Sequence, residues 1–213
     1  LKHEFAQYEK LTGGIWTLYG DAASQMMQYA SEAATSTGQS MNEFMESAIA
    51  TSAAMISAVE GDQARAAQLT NQAMIDMADN ANKLGTDMEA IQNAYRGFSR
   101  GNFTMLDNLA LGYAGTAQGM QQLLADAQAI SGVEYNIDSY ADIVEAIHVV
   151  QEEMGIAGTT MAAANGTIQG SIGKLTASWE NLIKGLSDPS ADLTSLIDNL
   201  VTNAETAPAN RIP

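Results

Sequence analysis

The chain has 213 residues, 46 % of them hydrophobic, enough to bury a core and too many for a disordered protein. Its 25 acids against 9 bases give a formal charge of -16, a surface that repels phosphate backbones and anionic membranes and so argues against direct nucleic-acid binding. With no cysteine it has no disulfide, thiolate metal site or cysteine nucleophile, and no run of its residues reads as a membrane segment or signal peptide.

Alanine is abundant and all three prolines lie beyond residue 188, so helix is favoured throughout. Residues 15–35 place Leu18, Tyr19, Ala22, Met26, Tyr29 and Ala33 on one side and predict a first helix. Ser40-Met41-Asn42-Glu43 reads as a capping box for a helix over 40–60, whose stripe is Phe44, Met45, Ala48, Ile49, Ile56 and Val59, with Gly61 beyond it. A weaker stripe of Ala66, Ala73, Met74, Met77, Ala81 and Leu84 predicts a helix over 62–84. Thr86-Asp87-Met88-Glu89 is a second box, opening a helix over 86–99 with Met88, Ile91, Tyr95 and Phe98.

Residues 101–116, GNFTMLDNLALGYAGT, carry three glycines and six large apolar residues but no lysine, arginine or histidine. Such a connection offers little chemistry. It is expected to fold down on its own side chains, with Phe103, Met105, Leu106, Leu109, Leu111 and Tyr113 turned inward, because exposing them would leave an aggregation-prone patch. The alternative is that these six residues form a docking patch for a partner. Thr104-Met-Leu-Asp107 offers a capped turn, and Gly112 and Gly115 permit bends on either side of Tyr113.

Met120, Leu123, Leu124, Ala127 and Ile130 predict a helix over 116–131. VEYNI at 133–137 is at most a short extended piece. Ser139-Tyr140-Ala141-Asp142, an acidic variant of the box, opens a helix over 139–154 with Ile143, Val144, Ile147, Val150 and Met154. A helix over 159–186 carries the strongest periodicity: Ile168, Ile172, Leu175, Trp179, Leu182 and Leu186 alternate spacings of four and three, a heptad seam that fits a core-facing helix or a coiled coil with another chain. The expected fold is all-α, a multi-helix bundle of about seven to eight amphipathic helices with short loops. Residues 1–186 would form the helical domain, and 187–213 a further helix over 190–203 with a frayed tail.

The candidates for chemistry are weak. Glu145-Ala-Ile-His148 has the Glu-x-x-His spacing of di-iron bundles but lacks the second pair, so His148 reads as a satisfied helix histidine. Asp76, Asp79, Asn80, Asn82, Asp87 and Glu89 bunch around Gly85 without the order of a calcium loop, and read as a helix end followed by a capping box. Gly170-Ser-Ile-Gly173-Lys174 lacks the spacing of a phosphate loop, and no acid pair is set in an apolar pocket. The sequence therefore predicts no enzyme, no cofactor and no metal site.

Three stretches together carry a resemblance: DMADNANKLGTDMEAIQNAYRGFSRGNFTMLDNLALGYAGT, LLADAQAISGVEYNIDSYADIVEAIHVVQEEMGIAGTT and TIQGSIGKLTASWENLIKGLSD. They resemble the tail tape measure proteins of long-tailed phages and prophages of Gram-positive hosts, with weaker similarity back through MNEFMESAIA to YEKLTGG. The chain departs from that family at Ala110, Gly119 and Gln121, where charged residues are frequent. A start at Leu1 and an end in APANRIP suit a helical region excised from such a long protein. The resemblance implies a structural role in setting tail length during assembly, with release at DNA ejection, in the tail lumen of a virion assembled in the bacterial cytoplasm. Implied partners are tail assembly chaperones, tail tube and tail-tip proteins, and other copies of the chain. A generic helical interaction module, or an accessory part of an enzyme whose catalytic portion lies elsewhere, are the other readings.

Overall fold

The computed structural model describes residues 1–160. These form an all-α body of seven α-helices in the order α1 (Lys2–Tyr19), α2 (Ala23–Ser36), α3 (Met41–Ala58), α4 (Gln63–Leu84), α5 (Met88–Phe98), α6 (Ala117–Ser131) and α7 (Tyr140–Glu153), with 3-10 turns at Gly20–Ala22 and Leu106–Leu109. No strand occurs among the described residues, so the stretch at 133–137 is irregular. The seam residues Ile168, Ile172, Leu175, Trp179, Leu182 and Leu186 and the helix expected over 190–203 lie outside the described residues.

The first helix differs most from expectation. A single helix over 15–35 is replaced by two, and α1 begins at Lys2. Gly13-Gly14 hides this start from a propensity argument, since each glycine weakens a helix by about 1 kcal/mol relative to alanine. Packing supplies the reason for at least one of them: a Cβ on Gly14 would lie 3.0 Å from Ile49 Cδ1, so the small residue lets α1 lie close against α3. The break comes at Gly20, whose φ of 49° ends α1, while Gln63 Nε2 reaches over to donate to the carbonyl of Leu18 at 3.3 Å.

The later helices start where the sequence places them, with one cap reassigned. Ser40 and Glu43 form the full capping box of α3, and Ser139 caps α7 by accepting from Asp142 N. At α5 the cap is Asp87, accepting from Ala90 N, rather than Thr86. Asp62 and Thr116 cap α4 and α6. Each such cap is worth about 1 kcal/mol.

α4 is the axis of the body. It packs against α1, α2, α3, α5 and α7, while α6 and α7 form a hairpin whose α7 leg leans on α3 and α4. The core joins Ile15, Tyr19 and Met26 from α1 and α2, Phe44, Met45 and Met55 from α3, Met74 from α4, Ile91, Tyr95 and Phe98 from α5, and Ile143, Val144 and Ile147 from α7. Three expected stripe members are instead exposed, each near a helix C-terminal end: Leu84, Ile130 and Met154. Because α4 is enclosed by neighbours, its buried residues do not form a simple stripe, and they include Asp76, Asp79 and Asn80.

Candidate functional site

Asp76, Asp79 and Asn80 sit at positions i, i+3 and i+4 of α4, on one face and one helical turn apart. All three are essentially inaccessible to solvent. Burying such groups costs several kcal/mol unless each finds partners, and here the partners come from three other parts of the chain.

Asn80 gathers three of them. Its Nδ2 donates to the carbonyl of Leu109 and to Gln151 Oε1, both at 2.8 Å, and its Oδ1 accepts from the Thr86 hydroxyl at 2.6 Å. Thr86 therefore serves the interior instead of capping α5. Gln151, also fully buried, donates from Nε2 to the Asp76 carbonyl at 3.0 Å. One asparagine thus ties the 101–116 connection, the end of α7 and the entry to α5 onto α4.

Asp79 secures the segment after α7. Its Oδ2 accepts from Gly158 N at 2.9 Å and its Oδ1 from Thr160 N at 3.0 Å. The Thr159 hydroxyl donates to the Asp79 carbonyl, and Asn82 Nδ2 donates to the Thr160 hydroxyl. Residues 159 and 160 are helical, so Asp79 supplies, from a distant helix, the acceptor that an N-cap residue ordinarily provides.

Asp76 faces His148. The Nδ1 of His148 lies 2.9 Å from Asp76 Oδ1, which also accepts from Gln72 Nε2, while Asp76 Oδ2 is buried with no partner among the described residues. Burial raises the Asp76 carboxyl above its ordinary value, outweighing the downward pull of His148 and Gln72, and Asp79 adds to the rise. The hydrogen bond that His148 donates to Asp76 raises His148 in turn, against partial burial, with Glu152 and Asp79 reinforcing it. The folded state therefore holds its protons more tightly than the unfolded chain at both groups. For His148 the resulting stability is complete below its ordinary value of 6.5 and is lost as pH rises through the raised value. For Asp76 it is complete below 3.8 and is lost as pH rises through that group's raised value. In chemical denaturation of the 213-residue chain, the contribution of this pair should therefore fall as pH rises above 3.8 for Asp76 and above 6.5 for His148. His148→Gln should flatten the part of that fall above about pH 6, and an unchanged slope in this variant would remove the pair from the explanation.

The apolar connection completes the site. Leu106, Leu109 and Leu111 are buried, and Phe103, Met105 and Tyr113 are half-buried and packed against the core. Phe103 meets Phe98 with ring centroids 6.3 Å apart, and the Tyr113 hydroxyl donates to Asp126 on α6 at 2.6 Å. The turn is organised by Asn102, whose Oδ1 accepts from the amide and hydroxyl of Thr104, so Thr104 is a donor and not a cap. Gly112 adopts φ 92°, as a bend there requires, whereas Gly115 is needed for space: a Cβ would collide with the Thr104 carbonyl oxygen.

What can this arrangement do chemically? Glu145 pairs with Arg65 rather than joining His148. Among the described residues no three His, Cys, Asp or Glu side chains converge as metal ligands, and no helix is long and apolar enough to cross a membrane. Asp79 bonds to main-chain amides and Asp76 to His148, so the cluster fastens these segments to α4. Its sequence signal is a polar trio at i, i+3, i+4 in α4 matched by a polar pair at i, i+3, His148 and Gln151, in α7. No family model matches the chain, and neither a curated protein nor a solved structure is detectably similar to it.

Proposed function

We propose that the chain is a non-catalytic structural region of a phage tail tape measure protein, acting in tail assembly and residing in the virion tail. The observation that carries this reading is the run NFTMLDNLALGY joined to SYADIVEAIHVVQ, which resembles that family over both the apolar connection and α7. The all-helical, cysteine-free body is compatible with it. Such a chain can be opened and extended without breaking a covalent cross-link, and methionines such as Met26, Met45, Met55 and Met74 give the core soft, repackable contacts. Tail chaperones, tube and tip proteins, and other copies of the chain are the partners on this reading.

The test is geometric. If the region is laid out as helix inside a tail, each residue contributes about 1.5 Å of length. An in-frame deletion of residues 88–153 in the parent phage or prophage should then shorten tails by roughly 100 Å in electron micrographs. Tails of unchanged length would refute a ruler role for this region and favour a generic helical interaction module.

A further inference from the structure

Asp76 and Asp79 are each 1 % exposed and lie one turn apart on α4, so two carboxylates share a buried face. Like charges at that spacing repel, and burial strengthens the repulsion. Among the described residues, His148 is the one group that brings positive charge against them. The other ionisable groups facing the pair are Glu152 on α7 and Tyr95 on α5, neither of them a cation. Glu145, one turn before His148, is taken up by Arg65, about three turns before Asp76 on α4. Lys83, one turn beyond Asp79, is exposed and makes no ion pair with it among the described residues. Helices α1, α2 and α3 also pack on α4, but bring no charge to Asp76 or His148. Charge balance on this face therefore depends on a proton held by Asp76 and His148.

The stretch from His148 to Thr160 covers this face, and it is held differently from the rest of α7. The first half of that helix is fixed by apolar burial, through Tyr140, Ile143, Val144 and Ile147. From His148 onward the buried apolar side chains are Val150 and Ile156 alone. The other attachments to α4 are polar: His148 and Gln151 to Asp76, Gln151 to Asn80, and the Gly158 and Thr160 amides to Asp79. Loss of the proton leaves two buried carboxylates with no positive charge beside them. Lifting residues 148–160 brings water to both. We propose that residues 148–160 form a proton-latched strap, closed while Asp76 and His148 hold a proton and released from α4 as it is lost. The raised values of both groups have the sign this requires, since the closed form holds the proton more tightly than the open one. Opening is therefore favoured as pH rises above 6.5, the ordinary value of His148. The latch is independent of the tail reading, because it uses only the buried charges and the strap that covers them.

Hydrogen exchange of the full 213-residue chain, read by mass spectrometry from about pH 6 to about pH 9 and corrected for intrinsic amide chemistry, tests the latch. Protection of the Gly158 and Thr160 amides should fall about tenfold over that range, while α3 and residues 140–147 change by less than about twofold. Asp76→Asn removes one of the two buried carboxylates and keeps the size of the side chain. It should hold the strap protected at the upper pH, whereas loss of a merely structural hydrogen bond would loosen it. His148→Gln keeps a donor for Asp76 but cannot take the proton. Its strap should be poorly protected at both ends of the range and insensitive to pH. A strap in the unaltered chain that shows no response to pH, or that loses protection together with α3, would overturn the proposal. So would an Asp76→Asn chain whose strap responds to pH as the unaltered one does.

Discussion

Asn80→Ala should destabilise the protein by about 3–5 kcal/mol in urea or thermal unfolding, a large share of the roughly 5–15 kcal/mol available to a domain. The side chain is fully buried, and its loss strands the Leu109 carbonyl, Gln151 Oε1 and the Thr86 hydroxyl together. Each stranded buried group costs about 1–3 kcal/mol, partly offset if water enters the space. Asn82→Ala provides the comparison on the same helix. Asn82 is solvent-exposed and donates to the Thr160 hydroxyl, so its loss should cost about 1 kcal/mol or less. Similar losses in the two variants would mean that the interior cluster is no more than a surface contact in energetic terms.

The second large effect is steric. Gly119 lies in the first turn of α6, and a Cβ there would collide with the Ala114 carbonyl oxygen, a main-chain atom that cannot swing aside. Gly119→Ala must therefore displace the turn at 114–116 or the start of α6, at a cost of about 2–3 kcal/mol, the upper range for overpacking. Gly13→Ala is the matched control. Gly13 is helical and exposed, with nothing within 4 Å of an added Cβ, so alanine should stabilise α1 by about 0.5–1 kcal/mol. Opposite signs in the two unfolding midpoints are the expected result. Two changes of the same sign would mean that the packing of 114–119 is not as described.

What could be read from the sequence was what is decided locally. A capping box needs only four residues, so the start of α3 at Met41 was legible, as were the starts of α5 and α7 to within two residues. The inward turn of Leu106, Leu109 and Leu111 followed from the cost of exposing them. The polar fastening was not legible, because Asp76, Asp79 and Asn80 look like a solvated helix end until α7, the 101–116 connection and residues 156–160 are brought against them. Ile130 and Met154 failed for a related reason: helical periodicity continues past the point at which the neighbouring helix stops covering it. Gly14 shows the same limit, since only the closeness of α3 explains a glycine within α1.

α4 holds the apolar connection and the segment after α7 through one shared polar cluster, and hydrogen exchange of the full chain, read by mass spectrometry, tests this most directly. The amides of Gly158 and Thr160, bonded to Asp79, and those of Leu106, Asn108 and Ala110 in the connection should exchange slowly in the unaltered protein. In Asn80→Ala both groups should speed up together, while α1 and α3 remain protected. Fast exchange at both groups before any substitution, or acceleration confined to one of them in the variant, would contradict a shared fastening.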